Sequence, residues 1–131
     1  MTWLVLLLLV LAGCGPGALS TVEPSLEPTG TPVTILTDVI GHTCTAEKYL
    51  VGVLTYDPKL GVAIQDDQGN VTRLMWPMAY SARLSPGGEI EILDKAALIG
   101  ATGRRYKVGG SVATWYPGDP FWVCAGKVVA Q

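Results

Sequence analysis

Two hydrophobic patterns divide the chain. From Trp3 to Ala12 ten apolar residues follow one another without a polar interruption. From residue 33 onward, apolar residues come in short runs separated by glycine, proline and Asp/Asn turns. Alternation with period 2 places apolar side chains on one face of a strand. Leu60, Val62 and Ile64 alternate with Gly61, Ala63 and Gln65, and Glu89-Ile90-Glu91-Ile92 repeats the pattern. Tyr49 to Tyr56 predicts a longer strand, with Gly52 at a position suited to a bulge, ended by Asp57-Pro58. Asp67-Gln68-Gly69-Asn70 reads as a tight turn, after which Val71 to Trp76 returns and stops at Pro77. Pro86-Gly87-Gly88 is a further turn.

Shorter strands are predicted over Ala97 to Ala101, Tyr106 to Val108, Ser111 to Trp115 and Phe121 to Ala125, with an edge strand over Val33 to Leu36. Gly109-Gly110 separates or bulges the chain between two of them. Two segments have a helical alternative: a short helix in Met78 to Leu84, and one turn in Asp94 to Ile99. Seven or eight short strands in residues 33–131 predict a small all-β domain, an antiparallel barrel or a sandwich. A long glycine-containing first strand, two meander strands and a break before the rest give an OB-like layout over residues 47–115.

Composition separates the parts further. Residues 1–13 hold 11 apolar residues, and every charged residue lies beyond residue 22. As a helix, ten residues would span only ~15 Å, half of the roughly 30 Å bilayer core. The run is too short to cross a membrane and fits the apolar region of a secretory signal. Signals usually carry Lys or Arg ahead of that region. Here only Met1 and Thr2 precede it, so either the α-amino group supplies the charge or the start lies upstream. Gly15 to Pro32 holds four prolines, three glycines and five Ser or Thr in 18 residues. That is linker composition, with a reach of at most ~60 Å. The expected division is therefore a signal over 1–13, an anchor residue and flexible linker over 14–32, and one β-domain over 33–131.

Leu11-Ala12-Gly13-Cys14 resembles the lipobox of bacterial lipoproteins. The resemblance implies that the Cys14 thiol becomes a diacylglyceryl thioether and that cleavage falls between Gly13 and Cys14. It implies a protein held by covalent lipid on the extracytoplasmic side of the cell membrane, with that lipid its only attached group. At about 0.8 kcal/mol per buried methylene, two or three acyl chains anchor stably where one is marginal. An ordinary signal cleaved after Gly17 or Ala18 would instead discard Cys14. Three cysteines are an odd number for an exported protein. With Cys14 acylated, Cys44 and Cys124 are left as a pair, which an oxidising compartment would join. A metal site from His42, Cys44 and Cys124 lacks the paired spacing of zinc modules, so no metal is expected. A second likeness lies in Trp76-Pro77-Met78-Ala79-Tyr80-Ser81-Ala82-Arg83. It resembles a Trp-Pro-x-Gly-Tyr-x-Ala-Arg pattern of small exported bacterial proteins of unassigned function, with Ala79 in place of the glycine.

Catalytic chemistry is weakly signalled. His42 is the sole histidine, and no serine sits in a nucleophile elbow. Asp66-Asp67 belongs to a turn, and Glu89 and Glu91 alternate outward on a strand. No catalytic residue is assigned. The net charge of −2, with Arg104-Arg105-Tyr106-Lys107 the single basic cluster, argues against nucleic acid. Aromatic residues remain. Trp76, Tyr80, Trp115 and Trp122 are core or corner residues in a domain this small. Where exposed together, with Arg83 or Arg105 as polar partner, they would form a stacking surface for a sugar or a peptide. The expectation is a non-catalytic binding module at the cell envelope, whose partners are the membrane and an envelope protein or glycan. The alternatives are an enzyme acting on cell-wall polymers and a structural envelope component.

Overall fold

The structure, a computed structural model, describes residues 30–131. The lipobox, Gly13, Cys14 and most of the expected linker lie outside the described residues. Nine strands follow in chain order: β1 (Thr31–Val33), β2 (Lys48–Asp57), β3 (Gly61–Gln65), β4 (Val71–Met75), β5 (Tyr80–Leu84), β6 (Ile90–Asp94), β7 (Ala97–Ala101), β8 (Arg105–Val112) and β9 (Phe121–Ala130). The fold is all-β, as the alternation predicts. Five strands close a barrel in the order β2-β3-β4-β9-β8, and the other four form a sheet in the order β1-β5-β6-β7. All pairings are antiparallel except β4 with β9.

Missing Cβ atoms let the barrel close. β2 pairs with β8 over residues 48–53 and with β3 over 53–57, so it changes partner beside Gly52. A side chain there would collide with the Gln65 carbonyl. The Gly109-Gly110 pair is a bulge: the β8–β9 register shifts between Val108 and Gly110. A Cβ at Gly110 would strike the Trp122 carbonyl. Bulges bend and twist a strand, as closing a small barrel requires.

One hydrophobic core joins both sheets. Leu54, Val62, Leu74 and Val123 from the barrel pack with Ala82, Ile90 and Ile92 from the smaller sheet. Tyr106 fastens the two layers, its buried hydroxyl accepting the Ala101 amide N–H at 2.9 Å. Gly100 on β7 allows the close approach, because a Cβ there would lie 3.2 Å from both Leu54 and Tyr106.

Several expectations need correction. The edge strand is Thr31–Val33 and not Val33 to Leu36, so Thr31 and Pro32, expected in a linker, are part of a strand. Pro32 is tolerated because an edge strand leaves one side without ladder donors. Met78 to Leu84 is not helical. A turn in which the Tyr80 N–H meets the Pro77 carbonyl at 2.9 Å leads directly into β5. Asp94 to Ile99 is a hairpin, with Lys95 in the left-handed region at φ 56°. Tyr106 to Val108 and Ser111 to Trp115 merge into β8, which ends at Val112. The OB-like ring also needs β9, beyond residue 115, while residues 80–101 build the second sheet.

Candidate functional site

The segment between β1 and β2 is laid against the barrel by backbone pairing. The Trp76 N–H donates to the Leu36 carbonyl and the Asp38 N–H donates to the Trp76 carbonyl, each at 2.8 Å. This fixes Asp38 at the end of β4 with only 4% of its surface exposed. Its carboxylate accepts the backbone N–H of Ile40 at 3.1 Å and of His42 at 2.9 Å. His42 Nδ1 lies 3.2 Å from Oδ1. Burial pushes the Asp38 carboxyl up, but the Ile40 and His42 amides and the imidazole outweigh it, leaving it below its ordinary range.

The result is a compact loop over residues 38–42. Its tip presents Val39 and Ile40 outward, 78% and 70% exposed. The His42 ring packs on Trp115 at 4.7 Å and on Trp122 at 5.9 Å between centroids, and the two indoles meet edge to face at 5.0 Å. Two residues after His42, Cys44 is joined to Cys124 on β9, with Cα atoms 5.4 Å apart. The disulfide expected from the cysteine count is present.

Two depressions flank this loop. One, of about 490 Å³, is bordered by Gly41, His42, Met78, Trp122, Cys124 and Lys127. The other, of about 260 Å³, lies between Val39, Ile40, Met75, Trp115 and Tyr116. Both are mainly apolar with a few polar groups at their margins, the common character of small-ligand sites.

The expected stacking residues are dispersed. Trp76 and Tyr80 are buried and stack on each other at 6.1 Å in the shared core. Burial pushes the Tyr80 hydroxyl up in pKa, and that hydroxyl accepts the Gly126 N–H at 3.4 Å. Arg83 is held on the smaller sheet by Glu91, with Nε to Oε2 at 2.9 Å. Trp122 is buried beside Trp115, and of these four rings only Trp115 reaches solvent, at 44% exposure. The five residues therefore form no single surface. Trp76, the residue directly after β4, continues the alternation of that strand and points into the core with Leu74.

The basic cluster is partly neutralised. Arg105 makes a two-pronged pair with Asp67 at 2.7 and 3.0 Å, and Arg104 lies 3.6 Å from Glu89. Asp66 caps its own turn by accepting the Gln68 and Asn70 amides, each at 2.9 Å. Among the described residues, no three His, Cys, Asp or Glu side chains gather as a metal would need. No family profile, curated protein or solved structure matches the chain.

Sequence reasoning passed over two residues of this region. Asp38 and Arg73 carry no motif; Asp38 is set apart by the backbone amides around it and Arg73 by a buried Nε without a partner. The one available signal for Asp38 was its spacing of four from the sole histidine.

Proposed function

We propose that the protein is an exported lipoprotein of a bacterial cell envelope, carrying its β-domain as a non-catalytic binding module on a lipid-anchored tether. The observation that carries this reading is the cysteine arrangement. Cys44 and Cys124 are consumed by one disulfide, and the remaining cysteine, Cys14, stands at the end of Leu11-Ala12-Gly13-Cys14. A thiol in that setting is suited to alkylation. Two or three acyl chains there give stable membrane attachment on the extracytoplasmic side. The apolar depressions flanking the 38–42 loop support binding as the task, with an envelope protein or glycan as partner. The test is Cys14→Ser with cell fractionation and labelling by a radioactive fatty acid. Loss of label and release from the membrane fraction are expected. Retention of either overturns the anchor.

The Asp38–His42 pair favours a second reading, an envelope enzyme in which Asp38 orients the imidazole toward the larger depression. A hydrolytic assay on isolated cell wall separates the two readings. Activity that His42→Ala abolishes would select the enzyme.

A further inference from the structure

Arg73 differs from the other three arginines. Arg83 meets Glu91 at 2.7 Å, Arg104 meets Glu89 at 3.6 Å and Arg105 meets Asp67 at 2.7 Å. Among the described residues Arg73 has no carboxylate within ion-pairing distance, and its Nε is buried without a hydrogen-bond partner. That one N–H has given up hydration without replacement, a cost that a hydrogen-bond acceptor reaching the arginine would offset.

Its placement is set by β4. Val62 and Ile64 point into the core, so Ala63 and its cross-strand neighbour Arg73 point outward. Ala63 is nevertheless 0% exposed. Its cross-strand neighbours on that face are Thr55 and Arg73, the side chains that the register places to cover it. The guanidinium carbon then stands 6.0 Å from the centre of the Tyr116 ring, at the outer limit of cation–π attraction. Met75 follows two residues later on the same outer face, about 7 Å along the strand. Met75 and Tyr116 belong to one cluster and both line the 260 Å³ depression. An unpaired guanidinium and an apolar depression thus share Tyr116 as a common wall.

We propose that this face binds an organic carboxylate carrying a bulky apolar group. Arg73 receives the carboxylate through its planar fork, and the apolar group fills the depression between Met75, Trp115 and Tyr116. No lysine or arginine lines the depression itself, and Arg73 adjoins it only across Tyr116, so one monoanion matches the site and a nearly divalent phosphate ester does not. Asp38 also borders it, but its oxygens are engaged by the Ile40 and His42 amides. The proposal rests on reading the domain as a binding module and is independent of lipid on Cys14. The carboxylate has two possible sources, a free fatty acid or the C-terminus of a peptide.

The experiment uses the intact disulfide-bonded protein and four probes: decanoate, decanol, N-acetyl-leucine and N-acetyl-leucinamide, each below its aggregation limit. Binding is followed by calorimetry and by the NMR shifts of Arg73 Nε–Hε and the Met75 methyl. An acid is expected to bind at least about tenfold more tightly than its neutral match, as one charge-assisted contact provides. Decanoate and N-acetyl-leucine distinguish the two sources. Arg73→Gln should lose the same factor and Arg73→Lys should recover part of it. Neutral probes binding as well as acids, an unaffected Arg73→Gln, or no shift at Arg73 and Met75 at millimolar probe would each overturn the site. Should Arg73→Gln not fold, the Arg73 Nε–Hε shift in the parent protein decides. Failure of these probes leaves the anchoring reading intact, and release of the Cys14→Ser protein from the membrane leaves this site intact.

Discussion

The Asp38 carboxylate holds His42 twice, through the backbone N–H at 2.9 Å and through Nδ1 at 3.2 Å. A buried carboxylate that ties two amides and a ring acts as the clasp of the 38–42 loop. Replacing it with alanine frees those amides, and about 1 to 2 kcal/mol of stability should be lost. Urea unfolding of Asp38→Ala against the parent measures this. The loop's packing on Trp115 should loosen with it, seen as a shift in tryptophan emission.

Acid should act on the same clasp. The Asp38 carboxyl is held below its ordinary value of 3.8, so the folded state binds fewer protons than the unfolded chain near that pH. Its contribution is complete above about 3.8 and disappears as pH falls through the lower folded value. Asp66 and Asp67 are also lowered, by the Asn70 side chain and by Arg105 respectively. Stability measured from pH 6 to pH 2 should therefore decline for the parent and decline less steeply for Asp38→Asn. Parallel curves for the two proteins would contradict this role.

The disulfide closes a loop with a sequence separation of 80. Chain entropy alone assigns such a cross-link about 4 to 5 kcal/mol. The double variant Cys44→Ser and Cys124→Ser should unfold at markedly lower urea, with a loss approaching that value. An unchanged midpoint would show that the folded core makes the bridge redundant.

Glycines separate into two kinds. At Gly110 an added Cβ meets the Trp122 carbonyl, while at Gly61 it meets open space but the backbone lies at φ +73°. Gly61→Ala should therefore cost about 1 kcal/mol, the price of left-handed backbone alone. Gly110→Ala should cost over about 3 kcal/mol or prevent folding, since two strands must separate. Thermal melting of both variants gives the comparison.

Tyr106→Phe removes a single oxygen. The Ala101 N–H that donates to it is left buried with no acceptor, at a cost of about 1 to 3 kcal/mol. Slowed exchange of that amide in the parent, and its loss in the variant, would report the bond directly.

Local patterns were readable where large apolar side chains recur at every second position. The run Leu60 to Gln65 and Ile90-Glu91-Ile92 gave β3 and β6 because side chains alternate strictly there. Pro77 and Lys95 were harder. A turn followed at once by a strand leaves too few residues to show a period, so Met78 to Leu84 could be read as helical. The parallel pairing of Leu74 with Phe121 and of Met75 with Trp122 joins distant segments and has no local signature. The site suffered most. The place of His42 was not readable because nothing nearby in the chain reveals Trp115 and Trp122, while the buried state of Asp38 depends on the backbone of Trp76. The disulfide was legible because cysteine counting needs no geometry.

The N-terminal edge of the fold has a mechanical meaning. Chain entering at residue 30 first meets β1, which is held by the pairings Thr31–Leu84, Pro32–Arg83 and Val33–Ala82. A pull on that end, as from an attachment upstream, would unzip three rungs one after another and then lift residues 34 to 43. It would stop at Cys44, where the covalent link hands the force to the middle of β9 inside the barrel. Such a pull would thus free little more than a dozen residues before tension reaches the barrel, so the domain would yield first at this edge.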